Sequence, residues 1–243
     1  MRNPSAALIM GICIIITSVV LAKAWKKTHV THETISVTGA AQENFTADLI
    51  VWRGSFSQQA PSLKEAYALL KTDMGNIRAY IMKKGVGEKQ IVFSSVNISK
   101  QFKTQYNDKG EVSGETFEGY RLTQSVQVES NEVDKVETLS REVTELIDSG
   151  IELSSDDPEY YYTKLADLKI KMLANATKDA RTRAEQIAEN AGSDIGKLRQ
   201  ANMGIFQITA QNSSEDYTWG GVYNTSSKRK TASITVKLEF ETD

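Results

Sequence analysis

"ATKDARTRAEQIAENAGSDIGKL" spans residues 176–198, and its reading decides what the rest of the chain must be. Small residues recur at Ala176, Ala180 and Ala184, and Gly192 stands where a helix would stop. Methyl groups at that spacing line one face of an α-helix and let a neighbouring backbone come close. Leu165, Leu168 and Met172 extend the stripe backwards, and Ile187 and Ala191 extend it forwards. The result is a helix from about Thr163 to Ala191, roughly 40 Å long at 1.5 Å per residue. Asp167/Lys171 and Asp179/Arg183 support it as i,i+4 pairs. A helix with one flat, alanine-rich side needs a sheet to cover.

The closing segment, about Thr231–Glu241, supplies a strand. Ala232, Ile234, Val236, Leu238 and Phe240 face one way, and polar residues face the other. A preceding strand is expected at Met203–Ala210. Near the start, "ETISVTG" puts Ile35 and Val37 on one face, and "ADLIVWRGSF" is apolar on both faces at its centre, as a buried strand is. The final strand is expected in one sheet with both.

Between these ends the chain reads as strand and helix in alternation. Ser62 and Glu65 form an S-x-x-E cap for a helix with Leu63, Ala66, Tyr67, Leu70, Met74, Ile77 and Ile81 on its apolar stripe, stopped by Gly85. Strands follow in "QIVFSSVNISKQF" and "YRLTQSVQVES", with a turn at Asn107–Gly110. Asn131 and Asp134 resemble a second cap, for a helix facing inward through Val133, Val136, Ser140, Val143 and Ile147. A strand interrupted near Pro158 comes next. Segments 33–95 and 96–162 thus both read strand–strand–helix–strand.

Composition is that of an ordinary globular chain: 243 residues, 25% charged, 40% apolar, net charge −2. Both signs are mixed throughout, so no nucleic-acid footprint exists; the short basic cluster "SKRK" (Ser227–Lys230) reads as a solvated loop end. The single cysteine, Cys13, excludes an intrachain disulfide and argues against thiol or Cys-metal chemistry in the folded part. His29 and His32 stand i,i+3 in a short polar stretch with nothing to fix a metal geometry. "SSDDPEYYY" lacks the spacing of a calcium loop. No phosphate loop, dinucleotide fingerprint or nucleophile elbow occurs. The expectation is a protein without catalytic residues, cofactor or metal, with an enzyme using carboxylates on the sheet face as the rival reading.

"QNSSEDYTWGGVYNTSS" (Gln211–Ser227) is too long for a hairpin turn. It reads either as a mobile tip or as a contact surface built on Tyr217, Trp219 and Tyr223, with an unidentified envelope protein or ligand as partner. Removing Ser213–Thr225 is expected to spare the fold and weaken assembly.

Ala6–Ala22 is a run of 17 residues without a charge, at the lower limit for a bilayer span and long for a signal peptide. Trp25, Lys26 and Lys27 suit an interfacial anchor, so residues 1–27 are read as a retained membrane anchor and 28–34 as a linker. The flanking charges point to a cytoplasmic folded part.

Two segments carry a family resemblance: "ISVTGAAQENFTAD", and the opening stretch through Asp179, Ala180, Arg181, Ala184, Glu185, Ala188, Gly192, Gly196, Lys197 and Leu198. Together they resemble the SIMPL-domain proteins, the DUF541 or YggE-like family, over about Ile35 to the final strand. The entry "NFTAD" departs from the family's usual Pro-Asp. The resemblance implies an α+β fold of two intertwined subdomains, each a mainly antiparallel sheet covered by helices, after an N-terminal transmembrane helix. The boundaries expected are 35–95 plus 163–243, with 96–162 inserted. It further implies export to the periplasmic side of a bacterial inner membrane, homo-oligomerisation, a link to oxidative or envelope stress defence, and no established enzymatic activity. Physically the motif reads as structure: close packing at the alanines, pairing of Arg181 with Glu185, a stop at Gly192 and a turn at Gly196.

Overall fold

The computed structural model describes residues 4–28 and 33–242. His29, His32 and most of the expected 28–34 linker lie outside the described residues. The element order is α1 (Pro4–Thr28), β1 (Thr34–Thr46), β2 (Leu49–Ala60), α2 (Leu63–Lys83), β3 (Ile91–Phe93), β4 (Asn97–Tyr106), β5 (Val112–Ser130), α3 (Val133–Glu142), β6 (Leu153–Ser155), β7 (Glu159–Tyr161), α4 (Leu165–Ala191), β8 (Ile195–Met203), β9 (Gln207–Ala210) and β10 (Arg229–Thr242). Short 3-10 turns occupy Glu88–Gln90 and Val143–Ser149. The class is α+β with antiparallel sheets.

One sheet has the order β1-β10-β8, with β9 also on β10. The other runs β3-β5-β2-β6, with β4 on β5 and β7 on β2. The final strand therefore shares a sheet with β1, as expected, but not with β2. Strand β2 pairs with β5 from Ile50↔Ser130 to Ala60↔Tyr120, and its other edge takes β6 and β7. A strand carrying Ile50, Trp52 and Phe56, all buried, belongs at the centre of a sheet with neighbours on both edges.

The chain divides into two compact units. One holds Met1–Ala40, Asn175–Gly204 and Thr235–Asp243; the other holds Ala41–Ala174 and Ile205–Ile234. The expected boundaries, 35–95 plus 163–243 against 96–162, differ from this division because β2 and β3 join the sheet built from 96–162.

The larger unit contains the main core. Trp52, Phe56, Leu70, Ile77, Ile81, Leu122, Val126, Val136, Leu139 and Val143 are fully or almost fully buried there. Trp52 keeps its indole N–H satisfied by donating to Ser155 Oγ at 2.9 Å, and Ser155 donates on to the Ser140 carbonyl at 2.7 Å. Ser62 caps α2 as expected, accepting from the Glu65 N–H. Leu63 and Tyr67 of the expected stripe are exposed, whereas Asp73 is buried and accepts from Gln58 Nε2 at 2.6 Å. Asn131 and Asp134 do not cap α3: its cap residue is Glu132, with no side-chain bond. Asn131 donates instead to the Asp48 carbonyl. Ile147 is exposed and Leu146 buried, because the helix tightens into a 3-10 turn at Val143 and its phase changes. Gly85 and Gly150 adopt the left-handed conformation that ends each helix.

In the smaller unit, Val236, Leu238 and Phe240 of β10 are buried with the alanine row of α4. That row runs Ala176, Ala180, Ala184, Ala188, every fourth residue. Ile187 and Ala191 fall off it and are exposed. Strand β8 pairs with β10 from Val236↔Met203 to Thr242↔Ile195. The expected strand Met203–Ala210 is thus two strands, broken at Gly204, where an added Cβ would lie 2.4 Å from Thr235 Oγ1.

Helix α1 has no buried residue among those whose side chains are described, Gly11–Lys23 and Trp25. Among the described residues no helix is long and apolar enough to cross a membrane.

Candidate binding site on the Gln211–Ser227 loop

The two family-like segments meet inside the smaller unit. An added Cβ at Gly39 of β1 would lie 2.2 Å from the Ala176 carbonyl oxygen and 2.4 Å from the Ala180 nitrogen. Only glycine opposite alanine permits so close an approach. One residue on, the Ala40 N–H donates to Asp179 Oδ2 at 2.9 Å, and Arg183 Nε donates to the same oxygen at 2.9 Å. The Ala40 N–H first, then Arg183, hold the Asp179 carboxyl below its ordinary value. Arg181 pairs with Glu185 at 2.8 Å on the exposed side. Gly192 is left-handed at the helix end. Gly196, Lys197 and Leu198 lie in β8, so Gly196 serves a strand and not a turn. Lys171 pairs with Glu43 at 2.7 Å and not with Asp167. These residues form a joint between strand and helix and present no reactive group.

The long loop is different. Strands β9 and β10 pair from Lys230↔Ala210 to Ser233↔Gln207, and the loop between them folds back on β9. Gln207 Nε2 donates to the Thr218 carbonyl at 2.9 Å, and its Oε1 accepts from the Val222 N–H at 2.7 Å. Ile208 donates to the Val222 carbonyl and accepts from the Asn224 N–H. Glu215 accepts from the Ala210 N–H through one oxygen and from the Asn224 amide through the other. The loop is therefore tied down along its length and is not a free tip.

Beneath this arrangement Lys230 is fully buried. Its ammonium donates to the Asn224 carbonyl and, at 3.5 Å, to Asn224 Oδ1. Burial lowers its pKa to about 8, with Glu215 pulling the other way. Lys228 pairs with Asp134 and with Glu137, the latter at 2.9 Å. So "SKRK" is not a solvated loop end; only Arg229 within it is exposed like one. Cutting out Ser213–Thr225 would also remove the Thr225 carbonyl that accepts from the Tyr160 N–H, and would uncover Lys230. That deletion is not neutral to the fold.

A cleft of about 440 Å³ opens beside the loop, lined by Gln42 and Asn44 of β1, Thr209 of β9, Thr231 of β10, and Asn212, Ser213, Glu215 and Tyr217 of the loop. Thr231 donates to Asn44 Oδ1 at 2.7 Å, and among the described residues the Asn44 amide N–H groups have no partner. Asn212 is the one non-glycine residue with positive φ among the described residues. The Tyr217 ring is largely exposed and its hydroxyl accepts from Ser233 at 3.1 Å. Tyr223 is less exposed, against Tyr161 with ring centres 6.4 Å apart. Trp219, two residues beyond Tyr217, is 96% exposed.

Of the three aromatic residues singled out in the sequence, Tyr217 lines the cleft, Trp219 projects into solvent and Tyr223 packs against Tyr161 of β7. Gln42, Asn44, Glu215 and Lys230 were not singled out. Amides and hydroxyls carry no periodicity, but a lysine opening a strand of alternating apolar residues was a readable sign of burial. Among the described residues no group of three His, Cys, Asp or Glu side chains is placed to hold a metal ion.

Residues 35–241 match the family described as SIMPL, protein of unknown function (DUF541). The chain belongs to the SIMPL family. The Gly39–Ala180–Asp179 joint lies within the matched residues of this SIMPL protein and ties strand to helix there. No curated protein matches the chain.

Proposed function

We propose that this SIMPL protein is a non-enzymatic, membrane-tethered protein of the bacterial envelope that binds a neutral, polyhydroxylated ligand and self-associates, in the service of oxidative or envelope stress defence. One observation carries binding over catalysis: the single carboxylate of the cleft, Glu215, has both oxygens committed to the Ala210 N–H and the Asn224 amide. Around it stand amides and hydroxyls, with no lysine or arginine lining the cleft. A bound anion would lack a counter-charge, and a bound cation would compete with two existing hydrogen bonds. A sugar, with alternating donors and acceptors and an apolar ring face for Tyr217, fits such a lining. The exposed apolar side chains of α1 and the run Ala6–Ala22 support the tether.

The test is titration of the full chain in mild detergent with neutral oligosaccharides of envelope type, followed by tryptophan fluorescence and calorimetry. Saturable binding, weakened about tenfold or more by Asn44→Ala or Tyr217→Ala, is expected. Binding of charged ligands only, or none, would overturn the reading.

A second reading, with the folded part on the cytoplasmic side, is favoured by Lys23, Lys26 and Lys27 outnumbering Arg2 and the amino terminus. An alkaline phosphatase fusion at the C-terminus separates the two, since the enzyme is active only outside the cytoplasm.

A further inference from the structure

We infer that the ribbon made by β4 and the first part of β5 is the surface through which two copies of this chain associate. The inference rests on the self-association proposed above and names where it occurs. The two strands pair from Asn97↔Thr123 to Tyr106↔Val112. Strand β2 accompanies β5 only as far as Tyr120, so residues 112–119 of β5 and 101–106 of β4 extend beyond the sheet as two strands alone. Gly119 sits where they part from β2: an added Cβ there would lie 2.4 Å from the Ala60 carbonyl oxygen, at a φ of 143°.

The ribbon has two unlike faces. Strand alternation and the register put Ile98, Lys100, Phe102, Thr104 and Tyr106 on one side of β4, opposite Leu122, Tyr120, Phe117, Glu115 and Val112. The rings of this face interlock, Phe102 on Phe117 at 5.7 Å and Phe117 on Tyr120 at 5.2 Å. The other face carries Ser99, Gln101, Lys103 and Gln105, with hydrogen bonds such as Gln105 to Thr116 at 2.6 Å. The apolar face is the uncovered one: Ile98, Phe102, Tyr106, Val112 and Phe117 are each between 45% and 66% exposed.

Two arguments select a second copy as the occupant. The first is area. At roughly 100 Å² exposed per side chain, the face offers roughly 500 Å², near the upper end of what a monomer leaves bare. Two such faces bury roughly 1,000 Å² together, the threshold of a specific interface. The second is charge. Lys100 lies two residues from Phe102 towards the base, and Glu115 two residues from Phe117 towards the tip; neither has an ion-pair partner among the described residues. Packing the faces about a two-fold axis across the strands reverses base and tip. Lys100 of one copy then lies level with Glu115 of the other, twice over.

The test is sedimentation equilibrium of the full chain in mild detergent, with circular dichroism as the folding control. A dimer is expected for the natural chain. Phe102→Ser with Phe117→Ser should raise its dissociation constant about tenfold or more while leaving the circular dichroism spectrum of the folded chain unchanged, since both rings are exposed. Lys100→Glu alone and Glu115→Lys alone should each weaken the dimer, and the double exchange should restore it. Assembly that ignores all these variants overturns the ribbon assignment but leaves self-association standing. A monomer throughout overturns both. Loss of liposome binding in the Phe variants, with the mass unchanged, would make the ribbon a lipid-facing surface and sink the second copy. Weakening without rescue by the exchange would also overturn the two-fold arrangement.

Discussion

At the scale of single residues, the molecule's tightest point is Gly39 against Ala176 and Ala180. A methyl group on Gly39 would overlap the helix backbone, and forcing strand and helix apart costs about 1–3 kcal/mol. Gly39→Ala should therefore lower the free energy of unfolding measured in urea by that amount, with the helical signal retained; an unchanged midpoint would mean the joint yields freely. Lys230 makes the other residue-scale prediction. Its pKa of about 8 in the folded chain lies below the roughly 10.4 of an unfolded lysine. Between these values the unfolded chain binds the extra proton, so stability rises as pH climbs from about 8 towards 10, by at most about 3 kcal/mol. Lys228, whose acidic partners raise its pKa, works above this window, as do Tyr80, Tyr160 and Tyr161, raised chiefly by burial. Urea titrations at pH 7, 8, 9 and 10 should show the rise, and Lys230→Met should flatten it. A natural chain that loses stability steadily across this range would contradict the burial argument.

At the scale of elements, what the sequence disclosed depended on whether burial left a period in it. Helix α4 and strand β10 were legible because each presents one apolar face, and α2 announced itself through Ser62 and Glu65. Strand β8 was not legible: seven of its nine side chains, from Lys197 to Met203, are exposed, so "GKLRQANM" shows no alternation. The pairing of β2 was misjudged because an apolar run says that a strand is central but not in which sheet. The ribbon was hidden for a related reason. Phe102 and Tyr106 keep the period of β4, but Phe117 and Tyr120 of β5 are three residues apart and share a face only through a register shift, and alternation cannot tell that a face is bare. The candidate cleft left still less trace, being made of amides and hydroxyls from four separate elements. Capping can be tested directly: Ser62→Ala removes the acceptor for the Glu65 N–H and should cost about 1 kcal/mol. A loss below a few tenths would mean that the first turn is held by packing alone.

At the scale of the whole molecule, the question is what keeps the chain where it works. The run Ala6–Ala22 has 17 uncharged residues and, as a helix, covers roughly 26 Å of a hydrocarbon layer about 30 Å thick. Among the described residues no helix is long and apolar enough to cross a membrane. A tether of the kind proposed would draw on the whole uncharged run, with flanking lysines whose apolar stems allow their ammonium groups to reach the interface. Ile12, Ile14, Ile15, Ile16, Val19, Val20 and Leu21 are all exposed, and no described side chain of α1 contributes to a core, so the helix can be removed without opening one. Two outcomes follow for cells making either the full chain or a chain starting at Glu33 behind a cleavable export signal. The full chain should stay with membranes washed in alkaline carbonate and enter solution only with detergent. The shortened chain should appear in the soluble fraction with the same unfolding midpoint. Extraction of the full chain by carbonate alone would show that residues 1–27 do not span the bilayer, and the folded part would then need another means of reaching the membrane.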